Sequence, residues 1–272
     1  MKMDIYKPAH PRSDKTCVIY VFGGGFINGQ RDNKHSVQAC DSLVAHGFTA
    51  ISIDYRLGVT KERYDSLGFF RVNSMFSNAI NMAVEDLSSA IAYVWEHAAQ
   101  LDIDPNRIVL TGASAGAITV LQNDYCRCNS LPQAKDLPKE FKPLAVIPYS
   151  GAIYCKNSQL RYATPPAPTC FFHGSKDKIV NYKRFRSALS SSLNGSSKMA
   201  KVFKQNRYPY WIFRYEGNGH EVNGFLPYTL NEFVSFVEKG TRSTTCFDCT
   251  CKDSKLPPNE WSNMTIFQLY TR

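Results

Sequence analysis

The stretch Ile108-Val109-Leu110-Thr111-Gly112-Ala113-Ser114-Ala115-Gly116 decides how this chain is interpreted. An apolar run typical of a buried strand leads into G-x-S-x-G, and helix-prone residues 117–121 follow. A serine at such a junction sits on a sharp turn, because small flanking residues let the backbone bend and hold Oγ out of the sheet. The pentapeptide alone occurs by chance in many proteins, and a glycine-rich turn is the alternative. The flanking strand and helix favour a nucleophilic Ser114.

A second motif lies near the N-terminus. Residues 17–22 form a continuous apolar run that predicts a strand covered on both faces, and Gly23-Gly24-Gly25-Phe26 follows it. Consecutive glycines expose backbone N–H groups, because no side chain shields them. With the N–H of Ala115, these donors predict a site for a developing oxyanion, the alternative being a flexible loop.

An acid and a base follow later strands. Asp177 lies in His173-Gly174-Ser175-Lys176-Asp177 after one predicted strand, and His220 lies in Gly219-His220-Glu221 after another. The order Ser114, Asp177, His220 is the order of a triad in an α/β-hydrolase. Asp124 and Glu221 are the alternative acids, and His173 is predicted to brace the loop before Asp177.

These motifs, together with Asp54-Tyr55-Arg56-Leu57, resemble those of the α/β-hydrolase superfamily, in particular bacterial carboxylesterases and lipases of the feruloyl-esterase-like type. The resemblance covers about residues 4 to 240. It departs from many relatives at Phe22, where they have histidine. It implies that the N–H groups of Gly24, Gly25 and Ala115 form the oxyanion hole.

Alternating strands and helices predict an α/β fold with a mostly parallel central sheet and helices on both faces. Residues 1–240 are expected to form one domain, with a strand near its start. The predicted strands are at 17–22, 49–54, 107–111, 144–149, 168–173 and 210–215, and the predicted helices at 33–46, 78–100, 116–123, 181–193 and 226–239.

Residues 58–77 are rich in aromatic side chains without clear periodicity, and we expect them to form a lid or pocket loop. Simple packing beneath the loop is the alternative. The substrate-binding residues predicted here and in the glycine run are Phe26, Tyr64, Phe69 and Phe70.

The C-terminal extension, residues 241–272, is expected to pack on the same domain. It contains Cys246, Cys249 and Cys251, and its apolar run at 266–270 predicts an edge strand. A structural zinc site needs four ligands, usually as two pairs, and no second pair is visible. We therefore predict no metal site, and the disulfide state stays open.

The chain has a formal net charge of +9, without a nucleic-acid-binding motif. A charge of this size more often reflects a solvated surface, although it would also favour anionic substrates by long-range attraction. No stretch is long enough for a membrane span, and no nucleic-acid partner is expected. No signal peptide is visible, but an exported origin with the signal removed stays open, as does the oligomeric state.

The sequence thus predicts a serine hydrolase of carboxylic esters, with Ser114 as nucleophile, His220 as base and Asp177 as acid. Its partner would be a small-molecule or carbohydrate ester, including acetylated or feruloylated polysaccharide through the resemblance. No cofactor is expected. The alternatives are a prolyl-oligopeptidase-like peptidase and a catalytically silent binding module.

Overall fold

Five neighbouring parallel strands that are buried along their whole length form the centre of the molecule. The computed structural model describes residues 2–60, 69–156, 159–186, 191–242, 246–252 and 261–264, without the side chains of 69–73 and 186. The described strands are β1 (Met3–Tyr6), β2 (Cys17–Val21), β3 (Thr49–Ile53), β4 (Ile108–Ala113), β5 (Ala145–Tyr149), β6 (Ala152–Cys155), β7 (Thr169–Gly174), β8 (Arg184–Arg186), β9 (Ser192–Gly195), β10 (Tyr210–Tyr215) and β11 (Cys246–Cys251). The described helices are α1 (Lys34–Val44), α2 (Phe69–Glu96), α3 (Ala98–Leu101), α4 (Ala115–Cys128), α5 (Ser196–Asn206) and α6 (Leu230–Glu238).

Eight of the strands form one sheet in the order β1-β3-β2-β4-β5-β7-β10-β11. Only β1 is antiparallel to its neighbour within this described sheet. Helix α1 packs on β2 and β3, and α4 packs on β4 and β5. The predicted α/β architecture with a mostly parallel sheet is therefore confirmed. Continuous apolar sequence marked its central strands because helices and loops cover both of their faces.

The helix predicted at 181–193 is wrong. Strands β8 and β9 occupy part of that segment and pair with β6 in a small antiparallel sheet. The helix begins only at Ser196, after Gly195 in extended conformation. A side chain at Gly195 would come within 1.9 Å of the Asn181 carbonyl oxygen, so the chain is too crowded there for any other residue.

The loop predicted at 58–77 is also corrected, because α2 already begins at Phe69. Met75, Ala79 and Ala83 are buried at intervals of four residues, which is the spacing of one helix face. The apolar stripe of α2 thus extends further towards the N-terminus than the sequence interpretation allowed. Residues 61–68 of the predicted loop lie outside the described residues.

The described part of the C-terminal extension adds the edge strand β11, which runs parallel to β10. Phe247 packs against Trp211 and Phe213, with ring centroids 5.4 Å and 5.8 Å apart. The sequence placed an edge strand at 266–270 instead, and that segment lies outside the described residues.

Candidate active site

Ser114 sits on the turn between β4 and α4 with φ 53° and ψ −115°, a conformation that non-glycine residues rarely adopt. The two glycines of the motif make the turn sterically feasible. A Cβ atom at Gly116 would lie 2.0 Å from the Val21 carbonyl oxygen, and one at Gly112 would lie 2.6 Å from the Gly116 carbonyl carbon. The G-x-S-x-G pattern therefore allows α4 to start directly against the end of β2.

Ser114, His220 and Asp177 form one hydrogen-bonded chain. His220 Nε2 lies 2.8 Å from Ser114 Oγ, and His220 Nδ1 lies 2.8 Å from Asp177 Oδ2. All three residues are buried, at 7%, 2% and 5% exposure in the order Ser114, His220, Asp177. Because the carboxylate can only accept, Nδ1 carries the proton, and Nε2 then accepts the hydroxyl proton of Ser114.

The Asp177 carboxylate is fixed by more than the imidazole. Its Oδ1 accepts hydrogen bonds of 2.9 Å from the N–H groups of Ile179 and Val180. Burial by itself would raise the pKa of Asp177, but the positive charge and hydrogen bond of His220, with a contribution from His173, outweigh it and leave the pKa lowered. Asp177 is thus a rigid anion facing the back of the imidazole.

His173 braces the loop that carries Asp177, as predicted. It is fully buried and donates from Nε2 to the Val180 carbonyl oxygen at 2.8 Å. Its Nδ1 lies 2.8 Å from Ser196 Oγ and accepts from that hydroxyl, since the other ring nitrogen holds the proton.

The alternative acids serve other purposes. Glu221 accepts hydrogen bonds from the Gly219 N–H and from Asn218 Nδ2, and so shapes the turn before His220. Asp124 pairs with Arg127 at 2.7 Å and accepts the Ala167 N–H. Neither carboxylate contacts the imidazole of His220 in the described structure.

The glycine run after β2 approaches Ser114 closely. A Cβ atom at Gly23 would lie 3.2 Å from Ser114 Cβ, so only glycine lets the loop pass there comfortably. Gly24 and Gly25 have φ values of 126° and 64°, and the run lines the same cavity as Ser114. The N–H groups of Gly24 and Ala115 have no hydrogen-bond acceptor among the described residues. They are free to meet a substrate oxygen.

Tyr55 holds this glycine run in place, a role that the sequence interpretation missed. Its hydroxyl donates to the Phe22 carbonyl oxygen at 3.0 Å, and its ring stacks on Phe22 at 4.4 Å. The sequence signal that could have revealed this role was the Asp54-Tyr55-Arg56-Leu57 motif. Asp54 of the same motif has a different role, because its carboxylate accepts a hydrogen bond of 2.8 Å from the Arg31 guanidinium.

A cavity of about 410 Å³ opens beside Ser114 and His220. Its walls are the glycine run, the first turn of α1 with Lys34 and His35, the segment after His220, and Trp261 from the C-terminal extension. Trp261 is a second residue that the sequence interpretation missed, because nothing in its local pattern connects it with the triad.

The structure describes the side chain of only one of the four predicted substrate-binding residues, Phe26. Phe26 is corrected: it is 1% exposed, packs edge-on against Tyr55 at 6.1 Å, and belongs to the core instead of the cavity wall. Tyr64 and the side chains of Phe69 and Phe70 lie outside the described residues. Their contact with substrate stays a prediction.

The cysteines of β11 form no disulfide in the structure. Cys249 and Cys251 lie on one side of the strand with their sulfur atoms 3.9 Å apart. In the part of the chain that the structure describes, no three His, Cys, Asp or Glu side chains are grouped to hold a metal. Over the same residues, no helix has both the length and the apolar character needed to cross a bilayer.

This arrangement can deliver a hydroxyl oxygen to an electrophilic carbon while an imidazole removes its proton. The N–H groups of Gly24 and Ala115, which have no acceptor among the described residues, belong to the glycine run and the serine turn, and Asp177 stabilises the imidazolium that would form. These are the parts needed for acyl transfer through a covalent intermediate.

Comparison with known proteins agrees with this chemistry. The profile of the "Carboxylesterase family" matches residues 1–155. Esterase B1 of Culex pipiens is 30% identical over 122 residues, which are 44% of this chain and 21% of that protein. Esterase cest-33 of Caenorhabditis elegans is 22% identical over 243 residues, which are 88% of this chain and 38% of that protein. The chain therefore spans well under half the length of these relatives.

Solved structures show the same fold. The thermophilic esterase Est2 of the Planctomycetes species Thermogutta terrifontis matches with a TM-score of 0.59 and 21% identity, over 86% of this chain and 87% of that one. A truncated carbohydrate esterase from gut microbiota matches with a TM-score of 0.61 and 16% identity, over 89% and 91%. At these identities the likeness shows the α/β-hydrolase fold alone.

Proposed function

This chain belongs to the carboxylesterase family, and we propose that it is a serine hydrolase of carboxylic esters. The observation that carries the proposal is the chain of two 2.8 Å contacts from Asp177 through His220 to Ser114, at the wall of an open cavity. The position of a nucleophile, a base and an orienting acid within hydrogen-bond reach is the geometry that covalent acyl transfer requires.

In the first half-reaction, Ser114 Oγ attacks the ester carbonyl carbon and its proton passes to His220 Nε2. The carbonyl oxygen becomes an oxyanion, which accepts hydrogen bonds from the N–H groups of Gly24, Gly25 and Ala115. Each such donor contributes about 3 kcal/mol to the stability of the transition state. When the intermediate collapses, the ester C–O bond breaks, and the departing alcohol takes the proton from His220.

In the second half-reaction, water attacks the acyl-enzyme and gives its proton to His220. Collapse of this intermediate releases the carboxylic acid and returns the proton to Ser114. The Asp177 carboxylate stays ionised throughout, because its pKa is lowered, and it stabilises each imidazolium.

We further propose a carbohydrate ester, carrying an acetyl or feruloyl group, as the substrate. Two observations support a sugar-sized alcohol: the cavity wall includes the exposed amide side chain of Asn28, and Trp261 supplies an aromatic surface. A solved structural neighbour is itself a carbohydrate esterase. Within this substrate class, we propose that the protein is an esterase of the feruloyl-esterase-like type.

The test combines a probe with a substrate panel. A fluorophosphonate should label the wild-type protein at Ser114, and Ser114→Ala should abolish labelling and ester turnover. The variant should keep its thermal midpoint, since alanine and serine are equally strained at this φ. The panel is p-nitrophenyl esters of rising acyl length, acetyl-xylan, methyl ferulate and a prolyl peptide.

Labelling at another residue, or full turnover by Ser114→Ala, would show that the nucleophile is elsewhere. Absence of both labelling and turnover in a folded wild-type protein would favour a silent binding module. Cleavage of the peptide in preference to every ester would favour the peptidase alternative.

A further inference from the structure

Positive charge is placed at the mouth of the catalytic cavity without a balancing negative charge. Lys34, the first residue of α1, lines the same cavity as Ser114 and His220. None of the described residues that line this cavity is an aspartate or a glutamate. The carboxylate of Asp177 has 0% side-chain exposure and lies behind the His220 ring, so it does not face the substrate space.

Lys34 is also not committed to an ion pair. In the described ranges it has neither a salt bridge nor a side-chain hydrogen bond, and it is exposed to solvent. Asp32, the nearest acid in sequence, lies 3.9 Å from Arg31 instead. The ammonium group of Lys34 is therefore available to a ligand in the cavity.

The stability of α1 does not explain why lysine stands at its first position. The first turn of a helix favours negative side chains, because the backbone N–H groups there carry partial positive charge. The cap of α1 is already satisfied by Asn33, which accepts from the N–H groups of His35 and Ser36. Lysine at this position thus costs some helix stability, and a ligand that uses its charge would account for it.

We propose that the ester substrate, whether a carbohydrate ester or another ester, also carries a carboxylate on its acyl or its alcohol part, which Lys34 binds at the cavity mouth. This inference rests on the proposed ester hydrolysis and names its substrate class. A concave site lined by one sign of charge concentrates counter-ions more effectively than the +9 net charge of the whole chain does. Lys34 is accordingly a specificity-determining residue, and it takes no part in the bond-making steps.

The test uses pairs of esters that differ in charge. On the acyl side, p-nitrophenyl hemisuccinate is compared with p-nitrophenyl butyrate. On the alcohol side, para-acetoxybenzoate is compared with its methyl ester. The variants are Lys34→Glu and Lys34→Gln, with Lys201→Glu as the matched control, since exposed Lys201 on α5 changes net charge equally but does not line the cavity.

The quantity compared is kcat/KM for the charged ester divided by kcat/KM for its neutral partner. For at least one pair, Lys34→Glu should lower this ratio by roughly tenfold, because attraction to the carboxylate is replaced by repulsion. Most of the change should appear in KM. Lys34→Gln should give an intermediate loss, and Lys201→Glu should leave the ratio unchanged. Lys34→Glu should fold at least as well as the wild type, because a carboxylate suits the first turn of a helix.

An unchanged ratio in Lys34→Glu for both pairs would overturn the proposal, as would an equal effect of Lys201→Glu. Either result, with neutral esters still hydrolysed by the wild type, would leave the proposed ester hydrolysis standing. If the wild type hydrolyses no ester of either charge, the proposed function fails and this inference falls with it.

Discussion

Asp177 performs two tasks with its two carboxylate oxygens. Oδ1 holds the backbone of its own loop through the N–H groups of Ile179 and Val180, and Oδ2 holds His220. One carboxylate oxygen thus fixes the position of Asp177, and the other fixes the orientation of His220. Glu221, the alternative acid next to His220, accepts the Gly219 N–H in the turn before His220. Neither of its carboxylate oxygens contacts the imidazole in the described structure.

Replacing Asp177 should separate these tasks. Asp177→Asn should lower kcat on the order of 10⁴-fold, because the amide favours the wrong tautomer of His220. Glu221→Gln should affect thermal stability more than kcat, since it weakens only the Gly219 turn. Steady-state kinetics and thermal melts on both variants check this. Equal losses of kcat in the two variants would move the acid assignment away from Asp177.

The pH profile gives a second view of the same pair. A lowered pKa keeps Asp177 ionised from neutral pH to below the usual aspartate range of about 3.9. The acid-side fall of kcat/KM then does not come from protonation of Asp177, and the mechanism assigns it to the general base, which must be neutral to accept the Ser114 proton.

Asp177→Asn removes the negative charge that favours the imidazolium. The acid-side inflection of its residual kcat/KM should therefore move to lower pH than in the wild type. Activity measured across this range with a p-nitrophenyl ester checks the direction. An inflection that stays in place or moves to higher pH would show that Asp177 does not sense the charge of His220.

The site is built from turns at strand ends, and these turns depend on glycine. Gly24 has φ 126°, and a Cβ atom there would lie 2.0 Å from the Asn28 carbonyl oxygen. Gly24→Ala should lower kcat by roughly 10²-fold or more, as the loop moves an oxyanion donor away. Its thermal midpoint should also fall.

Gly224 gives the matched stability control. It lines the same cavity, but a Cβ atom there would have nothing within 4 Å and its φ is not in the left-handed region. Gly224→Ala should keep the wild-type midpoint. If Gly24→Ala kept both its midpoint and its kcat, the glycine run would not be the rigid donor loop proposed above.

The elements that sequence could predict are those whose burial is uniform. Strands such as β2 and β4 are buried on both faces, so their apolar runs were unambiguous. Strand β9 was mistaken for helix because its four residues pair with β6, far away in the sequence, and no local pattern records that partner. Trp261 was missed for the same reason, because its place in the cavity wall depends on contacts with parts of the chain that are far away in the sequence.

The order of the strands in the sheet brings the triad together. Ser114 follows β4, Asp177 follows β7 and His220 follows β10, and these parallel strands end at the same edge of the sheet. The chain order of the three residues was readable from motifs, and the alternation of strands and helices predicted a mostly parallel sheet, but the order in which the strands pair was not predicted. Open parallel sheets place their sites at this edge.

The C-terminal extension extends both the sheet and the cavity, and we propose that residues 241–272 belong to the same folding unit as residues 1–240. Strand β11 covers the edge of β10, and Asp248 accepts a hydrogen bond from the Tyr210 hydroxyl at 3.0 Å. Trp261 reaches the catalytic cavity, and a Cβ atom at Gly219 would meet the Ser262 carbonyl oxygen at 1.9 Å.

Truncation after Arg242 should therefore damage both stability and function. Loss of the Phe247 contacts and of the β10–β11 pairing should lower the thermal midpoint by roughly 5–15 °C. The uncovered edge of β10 should also promote association.

Trp261→Ala in the full chain separates the two effects, since it should impair turnover while leaving the sheet and the midpoint nearly intact. Calorimetry of the full chain should show one cooperative transition. Two transitions, or a truncated protein with unchanged midpoint and kcat/KM, would mean that the extension is an independent appendage and that the cavity is complete without it.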